Sequence, residues 1–179
     1  MKLFAALKNA VTGWMLILQG NPDWSARFTR SAAGLATGLV ILAFIAFLGV
    51  ALASLGGPAP DAFQIIMSML VLSLPFICMV FLFFGTRRSS QASTPSFDVL
   101  VPGAYLMAAF IVLEGLLFML APPLAMLSWP LLAYCLFRLA RTSAQWHVAL
   151  STGFAILTVL LLVVARFALY IVSSANLSP

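Results

Sequence analysis

Residues 31–55 read SAAGLATGLVILAFIAFLGVALASL, a run without one charged side chain. A soluble helix keeps a polar stripe toward water; this run has none, so its surroundings must be apolar on every side. At 1.5 Å per residue it is long enough to cross about 30 Å of hydrocarbon. Similar runs follow at about 62–84, 98–121, 124–139 and 146–173. The expected fold is all-α: a polytopic membrane bundle of five transmembrane helices.

Composition points the same way. Of 179 residues, 64% are hydrophobic and 7% charged, with a mean hydropathy of +1.14. A soluble domain carries about 25% charged residues, because its surface must face water. Net charge is +5, but the few cations lie at helix ends, which marks topology signals and anionic headgroups rather than nucleic acid. Cys78 and Cys135 fall inside spans and read as small apolar fillers, not a disulfide framework.

Residues 1–20 precede the single domain 21–179. At 100° per residue, Leu3, Phe4, Leu7, Ala10, Trp14 and Ile17 share one side. Lys2, Lys8, Asn9, Thr12, Gly13 and Gln19 share the other. This pattern predicts an amphipathic helix lying in the headgroup plane, with Lys toward water and Trp toward the acyl boundary. A cleaved signal peptide is the rival, but Lys8, Asn9 and Thr12 interrupt its apolar stretch and no A-x-A-like site follows. An ordinary docked helix is the other alternative.

Local signals set the remaining boundaries. Gly20, Asn21 and Pro22 break the first helix, with Asn21 a cap and Pro22 the first residue of a new turn. Gly56, Gly57, Pro58 and Pro60 form a turn, and Asp61 caps the second span. Gly85 ends that span, and Thr86 to Ser96 is a loop. Pro122 and Pro123 force a turn that makes spans three and four a helical hairpin. Span four is short, with Pro130 near its middle, and either tilts little or inserts partly.

With five spans, Lys2, Lys8, Arg27, Arg30, Arg87, Arg88, Arg138 and Arg141 lie on one side, eight of the nine cations. Loops one and three and the C-terminal tail hold none. The positive-inside rule then puts the N-terminus in the cytoplasm and the C-terminus in the periplasm or outside the cell. Omitting span four would place Arg138 and Arg141 on the far side. With Trp14, the eight cations make up the expected contact surface for anionic lipid or a partner.

The ninth cation, Arg166, lies inside span five, and Glu114 lies inside span three. Each stands seven residues before the outer end of its span, about 10 Å deep at the helical rise. Equal depth makes them candidate partners, since pairing lowers the cost of each. The alternative is a snorkelling Arg166 and a Glu114 satisfied elsewhere. Gly34-x-x-x-Gly38 clears side-chain bulk for close helix packing, within the chain or in a dimer. Pro75 and Pro130 are expected to kink their helices, for packing or to build a substrate site.

His147, the lone histidine, has no second His or paired carboxylates with which to hold metal or haem. It reads as an interfacial residue beside Trp146 of the aromatic belt. Nucleophile elbows, phosphate-binding Gly loops and H-E-x-x-H are absent. The hydroxyls of Ser151, Thr152, Ser173 and Ser174 have no neighbouring base. No enzyme and no cofactor is expected.

The stretch TPSFDVLVPGAY, Thr94 to Tyr105, resembles the segment that leads into the third span in the Yip family of Rab-interacting membrane proteins and their bacterial relatives. Ala104 stands between its Gly and Tyr. NPDW, Asn21 to Trp24, sits where bacterial members carry a Pro–aromatic segment. The five-span layout with a small outer tail is similar too. The acidic Tyr-Gly-Pro motif and long cytoplasmic domain of the eukaryotic members are missing. The resemblance implies a role in membrane organisation or protein assembly. A scaffold, assembly factor or accessory subunit of the inner membrane is therefore expected, in contact with a membrane-protein partner or a second copy. A small transporter or channel using Glu114 and Arg166 is the alternative.

Overall fold

Runs apolar on every side form helices because a backbone in lipid must satisfy its own hydrogen bonds. A computed structural model describes the backbone of residues 2–56, 61–90 and 95–175, and side chains within 4–55, 61–89 and 95–171. It is all-α, with no strand among the described residues. The order is α1 (Lys2–Gln19), a 3-10 turn (Pro22–Arg27), α2 (Ala32–Ala53), a 3-10 turn (Ser54–Gly56), α3 (Ala62–Ser90), α4 (Ser96–Leu120), a 3-10 segment (Pro122–Leu127), α5 (Ser128–Thr142) and α6 (Val148–Ala175). Five helices are long and apolar enough to cross a membrane, the fourth being the 3-10 segment with α5, Pro122–Thr142. The chain is a multi-pass membrane protein.

Several helix starts are fixed locally. The Asn21 side chain accepts from the Asp23 N–H, with Pro22 next in line. The Ser31 hydroxyl accepts from the Gly34 N–H. Asp61 and Gln64 close a reciprocal capping box, at 2.7 and 3.2 Å. His147 caps α6: its Nδ1 accepts from the Leu150 N–H and its carbonyl from the Ser151 N–H. The turn residues Gly57, Pro58 and Pro60 lie outside the described residues, as do the side chains of Ser173 and Ser174.

Two local expectations are corrected. α3 does not end at Gly85 but runs to Ser90, so Arg87 and Arg88 occupy its last turn rather than a loop. A glycine in an apolar helix lowers propensity without breaking it, and basic residues favour a helix C-terminus. Pro130 does not lie in the middle of an α-helix. It stands in the first turn of α5, where the 3-10 segment gives way to α-helix and the N–H that proline lacks is not needed. The interior prolines are Pro75 of α3 and Pro102 of α4.

α4 is the most buried span and α3 the least. α4 packs against α2, α3, α5 and the segment that follows it, which bears out the hairpin expected at Pro122 and Pro123. Burial along α4 is concentrated from Val99 to Ile111, whereas Leu116, Phe118, Met119 and Leu120 are exposed. The tight core therefore sits toward one end of the bundle.

That end is the basic one. Arg30 at the start of α2 pairs with Asp98 at the start of α4, at 3.0 Å. Arg87 donates to the Ser96 hydroxyl. The Trp146 ring stacks on Phe83 at 5.9 Å, joining the end of α3 to the start of α6. Trp146 is 4% exposed, so it is a core residue of the bundle and not a member of an aromatic belt.

α1 lies against this end with three sectors. Ala10, Gly13 and Ile17 are buried against the bundle, while Phe4, Leu7, Val11 and Met15 form a second, exposed apolar stripe. Lys8, Asn9 and Gln19 are exposed on the remaining side. The helix is thus docked and still offers an apolar face outward. Gly13, placed with the polar residues by periodicity, is buried, and a Cβ there would sit 2.4 Å from the Phe28 ring.

The small-residue stripe of α2 splits in two. Gly38 lets α2 approach α4, where an added Cβ would stand 3.0 Å from Ala104 Cβ. Gly34 packs first on its own turn: a Cβ there would meet the Thr29 carbonyl oxygen of the preceding turn. Gly38 thus serves helix packing within the chain.

Candidate functional site

Glu114 on α4 and Arg166 on α6 face each other because both helices leave the same end of the bundle and reach equal depth. Arg166 donates through both terminal nitrogens to the two Glu114 oxygens, at 2.6 and 2.8 Å. Two parallel, charge-assisted bonds fix the geometry of both groups. The guanidinium lies 5.2 Å from the Trp129 ring centroid on α5 and 5.9 Å from Phe110 on α4. Three helices therefore hold one cation, partly through aromatic faces. The two side chains are 21% and 17% exposed.

Nothing in this arrangement provides a free base or nucleophile. Both carboxylate oxygens are engaged, and Arg166 Nε is buried without a hydrogen-bond partner. Neither of the two cavities described below is lined by Glu114 or Arg166. No group of three metal-ligating side chains occurs among the described residues. Nothing in the sequence distinguishes Trp129 and Phe110, since aromatic residues are common in every span.

The expected cationic surface is divided. Arg138 and Trp14 are structural. Arg138 Nη2 donates weakly to the Ile17 carbonyl at 3.4 Å, beside the Thr142 hydroxyl, which donates to the same oxygen at 3.1 Å. The last turn of α1 has no basic residue of its own, so α5 supplies the positive charge that its dipole favours. Trp14 turns from lipid to protein, its indole N–H donating to the Pro102 carbonyl at 3.0 Å. Arg30 is paired with Asp98, Arg87 with Ser96, and Arg141 donates to the Trp146 carbonyl.

Lys8, Arg27 and Arg88 are exposed and have no ion-pair or hydrogen-bond partner among the described residues. The Lys2 side chain lies outside them. The free positive charge of this end is therefore carried by fewer residues than the sequence suggests. Arg88 stands at one end of an apolar groove of about 570 Å³ along the outer face of α3, lined by Phe76, Ile77, Val80, Phe81 and Phe84. Arg27 belongs to a second cavity, of about 350 Å³, between α1, α2 and α4.

Compared with protein families, curated proteins and solved structures, the chain matches none.

Proposed function

We propose that this is a non-enzymatic protein of a bacterial-type inner membrane, acting as a scaffold, assembly factor or accessory subunit through contacts between helices. The observation that carries this reading is the closed state of the intramembrane ion pair. Arg166 engages both Glu114 oxygens beside Trp129, while α3 leaves Ile66, Leu70, Ile77, Phe81 and Phe84 exposed. A transport pathway needs water at its charged groups, whereas an assembly subunit needs an open apolar flank. The α3 flank fits a transmembrane helix of another membrane protein, and Arg88 would meet an acidic group of that partner at its end.

Orientation follows the cations. The basic end faces the cytoplasm and the C-terminus the opposite side. The layout and the segment from Thr94 to Tyr105 resemble the Yip family, which supports a role in membrane organisation.

The test is photo-crosslinking in the native membrane, followed by gentle-detergent purification and identification of the products. A crosslinker at Phe81 of α3 is expected to capture a distinct membrane protein, and one at Val164 of α6 to capture none. Capture of no partner from Phe81, together with water-borne thiol labelling of Glu114→Cys, would replace this reading with transport.

A further inference from the structure

The cavity between α1 and the first span is used neither by the ion pair nor by the α3 flank. Its walls include Asn9 of α1, Arg27 and Thr29 from the connecting turn, Thr37 of α2 and Tyr105 of α4. No carboxylate lines it, and Asp98, the acid on this part of α4, is occupied by Arg30. Arg27 and the Tyr105 hydroxyl have no hydrogen-bond partner among the described residues. The Tyr105 ring is held in place against Phe28, at 5.9 Å. A fixed phenol, an amide and a free guanidinium around a cavity without negative charge select an anion.

The cavity also has a direction. Thr37 is the first member of an α2 stripe that continues through Val40, Phe44 and Leu48 at helical spacing, all three apolar and exposed. α2 runs from the basic end into the bilayer, so the polar cradle lies at headgroup level and the apolar stripe descends from it. A soluble anion would use only the first part.

We propose that this cavity retains one anionic phospholipid, with its phosphate on Arg27 and Tyr105 beside Asn9 and an acyl chain along Val40 and Phe44. The inference rests on the five-span fold and not on the assembly reading, since the lipid is assayed on the isolated protein.

The experiment is native mass spectrometry of the delipidated protein in mild detergent, titrated with phosphatidylglycerol, phosphatidylethanolamine or inorganic phosphate. Wild type is expected to take up one phosphatidylglycerol in preference to the zwitterionic lipid, and inorganic phosphate is expected not to compete. Arg27→Gln weakens uptake about tenfold, as the loss of a charge-assisted bond implies. Tyr105→Phe weakens it several-fold, Arg27→Lys retains most of it, and Arg88→Gln leaves it unchanged. Equal uptake of both lipids, equal loss in Arg27→Gln and Arg27→Lys, or loss in Arg88→Gln alone would overturn the proposal. Displacement by inorganic phosphate would also overturn it, in favour of a soluble anion.

Discussion

Glu114 and Arg166, 52 residues apart in the chain, meet through two hydrogen bonds of 2.6 and 2.8 Å between α4 and α6. Removing one partner leaves a charge in a place that water reaches poorly. Arg166→Ala or Glu114→Ala is expected to cost roughly 2–4 kcal/mol, below the full buried-pair figure because about a fifth of each side chain is exposed. The double substitution should cost far less than the sum. Thermal unfolding of the four proteins in detergent checks this double-mutant cycle; a double loss equal to the sum of the two single losses would sink the pairing.

The glycines of α2 and α3 should rank by what a Cβ would meet. Gly34→Ala forces a methyl onto the Thr29 carbonyl and is expected to cost about 2 kcal/mol or more. Gly38→Ala presses on Ala104 Cβ, 3.0 Å away, and should cost about 1 kcal/mol. Gly85→Ala has nothing within 4 Å and should be neutral, or stabilising by up to about 1 kcal/mol through helix propensity. The order of unfolding midpoints decides the matter.

Arg138 and Thr142 hold the last turn of α1. Arg138→Gln is expected to weaken this dock by about 0.5–2 kcal/mol. Amide hydrogen exchange should rise in α1 and stay unchanged in α6. Faster exchange throughout the bundle would instead make Arg138 a determinant of the whole fold.

Pro130→Ala should change stability by less than about 1 kcal/mol, because a proline in the first turn of a helix displaces no helical hydrogen bond. A large gain in thermal stability on substitution would reveal a kink at this position.

Much of the fold was legible in the sequence; the end of α3 and the place of Pro130 differ from it locally, and several side chains differ in the face they take. Asp61 and Gln64 were close enough in the chain to cap α3, and Ser31 to cap α2, whatever the rest of the bundle did. The equal depth of Glu114 and Arg166 followed from counting residues along two parallel spans. The rings that cover the pair did not, since nothing in the chain singles out Trp129 or Phe110 from other aromatic residues. Trp14 and Arg138 are residue types that favour the interface, yet both turn inward.

What the sequence alone determined is the address along the membrane normal: the five spans, their caps and the clustering of cations toward one end. Length, polarity and local hydrogen bonds decide these. Which face of each helix meets a neighbour was left to the tertiary structure. A span apolar on all sides carries no periodic signal of its inner face, so only packing could separate Gly34 from Gly38. Packing likewise bound Arg138 to α1 and left Arg27 free beside an open cavity.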